Sequence, residues 1–226
     1  MLLFCPTFLF YTLFIAYGGS MSTRFQNMTI NEYLTVLGST APAPGGGAAA
    51  ALTGAQACAL AEMVCRFTEN NPHDPSFKEK AGKYKDLFVM ARSIFLDLMD
   101  EDAANFKALM TLLQAPEEGN EEERKAALEE AFKKSAEAPI QTAQTMSDLL
   151  PAMTELLLHC NENVMTDAIM AAQEGISCIR GAKLNVQINV KYIHDEFYRH
   201  ETEESFAAWE NAISAIDAVL TYQVHL

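Results

Sequence analysis

An acidic and an amide side chain interrupt an otherwise apolar helical stripe between Tyr84 and Leu112. Positions spaced alternately four and three residues apart carry Tyr, Phe, Ala, Phe, Leu, Asp, Asn, Leu and Leu, which is typical of one packed helix face. The two polar members are Asp102 and Asn105. A carboxylate turned towards a helical core must be partnered, protonated or functional, because burying an isolated charge is costly. Asp102 is therefore a candidate catalytic acid–base group, and the alternative is a structural Asp–Asn pairing across the seam.

Three further acidic residues, Asp97, Asp100 and Glu101, lie in the same segment but largely off the stripe. Carboxylates on the outer face of a helix stay hydrated, so we interpret these three as solvated charge. This interpretation favours Asp102 over Asp100 as the functional acid.

A second helical face combines small residues with two amides. Positions 171, 175, 178, 182, 185 and 189 carry Ala, Gly, Cys, Ala, Asn and Asn. Small residues let a neighbouring helix approach closely. Asn185 and Asn189 lie one turn apart and can hold the edge of a flat heteroaromatic ring through paired donors and acceptors. Hydrogen bonding between helices is the structural alternative.

A proline-glycine stretch precedes an alanine-rich segment. Pro42 and Pro44 hold their neighbours extended, and the three glycines that follow, Gly45, Gly46 and Gly47, let a partner approach the backbone. Alanine has the highest helix propensity, so a helix is predicted from about Gly47 to Thr68. Its unpaired N–H groups would face an electron-rich ligand, whereas a plain tight turn is the alternative.

The remaining chain is predicted to be helical. A capping box at Thr29 and Glu32 begins a short helix, and several of the later helices are predicted to begin or end at segments that contain proline or glycine. The stretch "NVQINVKYI" alternates apolar residues and is the one ambiguous place, where a short strand is also possible. The predicted fold is an all-α, single-domain bundle of long antiparallel helices. The predicted helices span residues 30–37, 47–68, 76–113, 121–147 with a kink at Pro139, 151–160, 166–193 and 196–223.

Composition restricts the class of protein. Half of the 226 residues are hydrophobic and 20% are charged, as in soluble globular proteins. The formal charge of −14 argues against nucleic acid or an anionic membrane as a partner. Five cysteines without a CxxC pair predict neither a disulfide framework nor a metal site. Cys58 and Cys65 lie seven residues apart on one helix face, which indicates buried thiols in a reducing cytoplasm.

The first twenty residues, "MLLFCPTFLFYTLFIAYGGS", do not fit the helical pattern that follows. A weak signal peptide and a short membrane anchor are possible, although the apolar run is shorter than the ~20 residues of a membrane span. We favour a start-site misassignment. The codons of Gly18 and Gly19 would supply a ribosome-binding sequence just before Met21, which leaves residues 21–226 as the domain.

Five separated motifs resemble the C-terminal domain of formiminotransferase-cyclodeaminase and its free-standing bacterial relatives, the methenyltetrahydrofolate cyclohydrolases or cyclodeaminases. They occur in the family's order from about Met28 to the C-terminus, and they read "PAPGGGAAAALTGAQACALAEMVCRFT", "LMDEDAANFKALM", "AEAPIQTA", "NENVMTDAIMAA" and "GAKLNVQINVKYIHDEF". The resemblance implies an all-α homodimer that acts on the one-carbon bridge of tetrahydrofolate. A serine that commonly follows the family's glycines is Ala48 here.

The resemblance also implies site residues. The second aspartate of the family's D-x-D-A-x-x-F motif is Asp102 here, in agreement with the stripe, and Asn105 lies beside it. The glycine loop corresponds to Gly45–Gly47. The later polar positions of the family correspond to Asn161, Asp167, Asn185 and Asn189.

Two reactions fit this family. Formimino-tetrahydrofolate cyclodeaminase releases ammonia and forms the 5,10-methenyl bridge, whereas methenyl-tetrahydrofolate cyclohydrolase opens that bridge with water. Both need one carboxylate that shuttles protons, and neither is expected to need a metal or a redox cofactor. A non-catalytic acidic scaffold or dimerisation protein is the alternative. It would not require an Asp–Asn pair within an apolar seam.

Overall fold

The computed structural model describes residues 24–70, 75–116 and 120–223, and every regular element within these ranges is a helix. The predicted all-α class is therefore confirmed. The N-terminal segment 1–20, with its start-site hypothesis, lies outside the described residues. Short 3₁₀ helices span Phe25–Asn27 and Glu162–Val164. The α-helices of the described ranges are α1 (Ile30–Leu37), α2 (Gly46–Glu69), α3 (Pro75–Gln114), α4 (Glu121–His159), α5 (Met165–Val190) and α6 (Glu196–Gln223).

Helix α1 begins at the predicted capping box. The Thr29 hydroxyl accepts a hydrogen bond from the backbone N–H of Glu32 at 3.3 Å. In return, the Glu32 carboxylate accepts the backbone N–H of Thr29 at 2.8 Å. Two backbone donors thus obtain partners without help from the rest of the protein, so this boundary is readable from the sequence alone.

Helix α2 is the central element and packs against α3 and α5. Its buried face consists mainly of alanine, glycine and cysteine, together with Val64 and Thr68 towards its C-terminal end. A Cβ atom at Gly54 would lie 2.8 Å from the Phe95 ring of α3 and 2.9 Å from the Cys178 sulfur of α5. Small side chains therefore set the close approach of three helices. Among the described helices, α2 is long and apolar enough to cross a membrane. Buried core helices of globular proteins often have the same length and composition.

Helix α4 is one element, although the sequence predicted two. It runs unbroken from Glu121 to His159 with Pro139 and Pro151 inside it. Each proline removes one helical hydrogen bond. Residues on both sides of Pro139 are buried, and α4 packs against α2, α3, α5 and α6. The predicted break between residues 147 and 151 is wrong because tertiary packing, rather than local propensity, supplies most helix stability.

Helix α5 continues through the ambiguous stretch and ends at Val190, so the strand alternative is wrong and the predicted end at Ile193 is three residues late. The buried residues Ala182, Val186 and Asn189 follow the helical period and face the core. Their burial selects the period of 3.6 over the period of two that the alternating Val and Ile residues also satisfy.

The segment before α1 is attached to α3 by Asp100. Its carboxylate accepts the backbone N–H of Phe25 at 2.6 Å and the Arg24 Nε–H at 2.9 Å. Arg24 also pairs with Asp97. The Asp100 side chain is only 15% exposed, so the interpretation as solvated charge is wrong for this residue. Its role depends on a contact 75 residues away in the chain, which no local pattern shows.

Candidate active site

Asp102 lies where α3 crosses the N-terminus of α2. Its carboxylate accepts a hydrogen bond from the backbone N–H of Ala48 in the first turn of α2. A Cβ atom at Gly47 would lie 2.1 Å from Asp102 Oδ1, so only glycine allows this approach. Burial raises the pKa of Asp102 from 3.8 to about 6, and the Ala48 N–H opposes part of that rise. The carboxyl group can therefore both accept and donate a proton near neutral pH.

The three consecutive glycines serve different purposes. A Cβ atom at Gly46 would lie 3.2 Å from both the nitrogen and the oxygen of the Asn185 amide, whereas nothing lies within 4 Å of one at Gly45. None of the three adopts a left-handed φ angle. Glycine is therefore needed at positions 46 and 47 because the side chains of Asn185 and Asp102 occupy the space of a Cβ atom, and not because of an unusual backbone conformation. Gly45 leaves open volume next to them.

Asn185 and Asn189 extend the polar surface from α5. The Asn185 side chain donates from Nδ2 to the Gly181 carbonyl at 2.8 Å, and Asn189 donates to the Asn185 carbonyl at 2.9 Å. Asn189 is only 8% exposed. With one N–H of each amide fixed along the helix, the amide oxygens and the remaining N–H groups are available to a ligand. Asn185 and Asn189 thus lie on one face of α5, and their use in ligand binding stays a prediction.

These residues line one cavity of about 550 Å³, a volume within the range of small-molecule sites. One section is polar and contains the glycine loop, Asp102, both asparagines and the buried Ser135 of α4. The other section is apolar. It is lined by Phe106, Leu109, Met110, Leu113, Leu128, Phe132, Ile188 and Tyr192.

The amino-acid sequence was compared with models of known protein families. The formiminotransferase-cyclodeaminase model matches residues 29–208. The chain belongs to the formiminotransferase-cyclodeaminase family. The resemblance seen in the five sequence motifs is therefore confirmed.

Individual members of the formiminotransferase-cyclodeaminase family agree with this assignment. The methenyltetrahydrofolate cyclohydrolase of Methylorubrum extorquens is 30% identical over 177 residues, which are 77% of this chain and 85% of that protein. The formimidoyltransferase-cyclodeaminase of Mus musculus is 30% identical over 183 residues, or 80% of this chain. This chain spans only 34% of the mouse protein. The formiminotetrahydrofolate cyclodeaminase structure from Thermotoga maritima matches with a TM-score of 0.78 at 28% identity, covering 88% of this chain and 98% of that one.

Three predicted site residues, one from the helical stripe and two implied by the family resemblance, do not line this cavity. Asn105 donates to the Lys134 carbonyl at 3.2 Å and so fastens α3 to α4 next to Ser135, but it does not line the cavity. Asn161 caps the 3₁₀ helix before α5 by accepting the Asn163 N–H at 3.0 Å. Asp167 lies in the first turn of α5, about 27 Å along the helix axis from Asn185.

Several cavity residues were not predicted. Phe106 is the last residue of the D-x-D-A-x-x-F motif that contains Asp102, so that motif could have indicated it. Ser135 and Phe132 belong to α4, and Tyr192 follows the end of α5. No spacing within either segment relates them to Asp102, because the relation is made by helix packing.

Tyr33 of α1 is a further unpredicted neighbour of Asp102. Its side chain is 5% exposed, and its hydroxyl has no hydrogen-bond partner among the described residues. Burial, and secondarily the negative charge of Asp102, raise the pKa of Tyr33. An unpartnered buried hydroxyl lowers stability by about 1–3 kcal/mol. The surroundings of Asp102 are therefore not optimised for stability.

Proposed function

We propose that this protein acts on the one-carbon bridge between N5 and N10 of a tetrahydrofolate derivative, with Asp102 as the proton-shuttling residue. One observation carries the proposal. A carboxyl group with a pKa of about 6 is held at the glycine-rich start of α2 and faces a cavity that also contains two asparagine amides. The names of the family members support the substrate class.

The cyclodeaminase reaction needs two proton transfers at neighbouring nitrogens. The formimino group reacts in its protonated form. N10 attacks the formimino carbon and loses its proton, the C–N bond to the formimino nitrogen breaks, and that nitrogen gains one proton and leaves as ammonia. In this proposal Asp102 accepts the proton from N10 and donates the one that the leaving nitrogen gains. Its negative charge would also stabilise the amidinium cation that forms when the 5,10-methenyl bridge closes.

The cyclohydrolase reaction uses the same group on the same carbon. Water attacks the amidinium carbon and gives its proton to Asp102. The proton is then returned to the ring nitrogen whose bond to that carbon breaks, while the remaining hydroxyl proton of the adduct passes to solvent as the carbonyl forms, which leaves the formyl compound. Each reaction has a named relative in its favour, the Methylorubrum protein for cyclohydrolysis and the Thermotoga structure for cyclodeamination.

We propose that Asn185 and Asn189 hold the pterin ring by its polar edge, against the backbone of Gly45 and Gly46. The open space beside Gly45 and the free faces of both amides support this orientation. Neither proposed reaction changes an oxidation state, so we expect no redox cofactor. We also expect no metal, because Asp102 is proposed to carry out the proton transfers itself. The required groups are carboxyl, amide and backbone donors that the cavity already contains.

The two reactions are distinguished by offering 5-formimino- and 5,10-methenyl-tetrahydrofolate in parallel and following the methenyl chromophore. Cyclodeamination creates this chromophore and cyclohydrolysis consumes it. Loss of either signal in the Asp102→Asn variant would support the assigned role. A purified, folded protein that neither binds nor converts either compound would refute the proposal and favour the acidic scaffold.

We propose that the protein is a homodimer in which Asn161 and Asp167 approach the cavity of the second copy. Their distance from Asn185 within one chain supports this arrangement, as does an exposed apolar row on α3 formed by Leu87, Met90 and Ile94. Light scattering gives the oligomeric state, and a monomer would refute the dimer.

Subunit exchange tests the shared site. If sites are shared, random mixing of inactive Asp102→Asn and Asp167→Asn subunits should restore about a quarter of wild-type turnover, because half of the dimers are mixed and each contains one intact site. No recovery, or an active Asp167→Asn variant, would contradict sharing.

We also propose a cytoplasmic location. Cys58, Cys65, Cys160 and Cys178 are buried free thiols, and burial raises the pKa of each of them, so their sulfurs are unreactive. Buried free thiols are typical of reducing compartments. Localisation of the tagged protein by cell fractionation tests this.

A further inference from the structure

Two aromatic side chains from different elements are stacked in the apolar section of the cavity. The ring centroids of Phe132 and Tyr192 are 4.6 Å apart, and the ring planes differ by 17°. Both rings line the cavity, and Tyr192 is 54% exposed although it is held in this stack. The pair therefore presents aromatic surface to whatever enters the cavity, a surface on which another flat ring can pack favourably.

The position of Tyr192 is fixed by its surroundings. Its backbone N–H donates to the carbonyl of Asn189 at 3.0 Å. The connection to α6 is held by the Glu129 carboxylate, which accepts the backbone N–H groups of His194 at 3.0 Å and Asp195 at 2.9 Å. A ring that is already ordered loses little conformational entropy when a ligand binds to it.

The aromatic pair directly adjoins the polar section. Tyr192 follows Asn189 by three residues, and Phe106 follows Asp102 by four, so each polar group is succeeded within about one helical turn by an aromatic ring. A ligand that fills the cavity therefore places a polar group beside Asp102 and an aromatic or apolar group immediately next to it.

We propose that the Phe132–Tyr192 pair binds the aminobenzoyl ring of the folate and is a positioning element for N10. This proposal rests on the proposed function. In a folate the aminobenzoyl ring is bonded directly to N10, one of the two nitrogens of the one-carbon bridge. A ring packed against Tyr192 restricts rotation about that bond and so orients N10 relative to the reacting carbon and to Asp102.

Tyr192→Leu tests the proposal, because it removes the ring from a half-exposed position. We expect KM for the converted folate to rise about three- to tenfold, as expected for the loss of one aromatic contact, and kcat to fall as well, because N10 is then held less firmly in its reactive orientation. Tyr192→Phe keeps the ring and should retain a KM within about twofold of wild type. Tyr222→Leu is the matched control, since Tyr222 is 67% exposed on α6 and does not line the cavity.

Two competitors separate this proposal from the proposed function. p-Aminobenzoylglutamate should inhibit Tyr192→Leu several-fold more weakly than wild type, while a tetrahydropterin that lacks the aminobenzoyl group should inhibit both equally. An unchanged KM in Tyr192→Leu, or an equal loss for the tetrahydropterin, would overturn the aromatic contact even if the wild-type protein is active. A wild type that converts neither folate would instead refute the proposed function. If Tyr192→Leu lost helicity, Phe132→Leu measured with the same competitors would decide.

Discussion

Replacing Asp102 with asparagine should make the protein more stable at alkaline pH and far less active. The carboxyl group has a pKa of about 6 in the folded protein against 3.8 in the unfolded chain. Each unit of this difference corresponds to 1.36 kcal/mol, so keeping Asp102 ionised in the fold costs up to about 3 kcal/mol above pH 6. Asparagine has no charge to desolvate, and its side-chain oxygen can still accept the Ala48 N–H.

The sign of this effect depends on pH. Below pH 3.8 Asp102 is protonated in both the folded and the unfolded protein, so its raised pKa does not destabilise the fold there. As the pH rises from 3.8 through 6, the carboxyl group loses its proton more readily in the unfolded chain, so the free energy of unfolding falls. The free energies of unfolding of both proteins, measured with urea, should therefore agree to within about 0.6 kcal/mol at pH 4. At pH 8 the variant should be more stable by up to about 3 kcal/mol.

Activity should change in the opposite direction. Loss of a general acid–base group lowers turnover by about 10²–10⁴-fold, and the inflection near pH 6 in the wild-type profile of kcat/KM, which reports the free enzyme, should disappear. The methenyl chromophore provides the assay. A variant that is less stable at pH 8, or that turns over like wild type, would refute the assignment of Asp102 as a strained catalytic carboxyl.

Three other substitutions test the surroundings of Asp102. Gly47→Ala should reduce turnover or stability severely, because the new Cβ would lie 2.1 Å from Asp102 Oδ1. Gly45→Ala is the control and should fold normally, since nothing lies within 4 Å of a Cβ at that position. Equal effects of the two substitutions would contradict this spatial explanation. Tyr33→Phe should raise the free energy of unfolding by about 1 kcal/mol by removing an unpartnered buried hydroxyl, and a clear loss of stability in thermal melts would show that the hydroxyl has a partner. Asp100→Asn should lower stability by about 1 kcal/mol through weaker anchoring of Phe25 while kcat stays within about twofold of wild type. A larger fall in kcat would transfer the catalytic assignment to Asp100.

Local patterns in the sequence determined the individual elements and the faces they bury. The capping box at Thr29 and Glu32 predicted where α1 begins, and the alanine-rich segment predicted the helix that became α2. The interrupted stripe selected Asp102, and the spacing of Asn185 and Asn189 placed both amides on one face. Each of these inferences depends on residues within a few turns of one another, where helical periodicity is sufficient.

Only the tertiary structure decided which faces meet. Gly47 needs to be glycine because Asp102 of another helix occupies the space of its side chain, and Gly46 has the same relation to Asn185. The passage of α4 through Pro139 and the distant position of Asp167 follow from packing as well. A periodic pattern records that a face is buried but not the neighbour against which it is buried. The composition of the cavity, including the Phe132–Tyr192 pair, therefore became visible only when the helices were assembled.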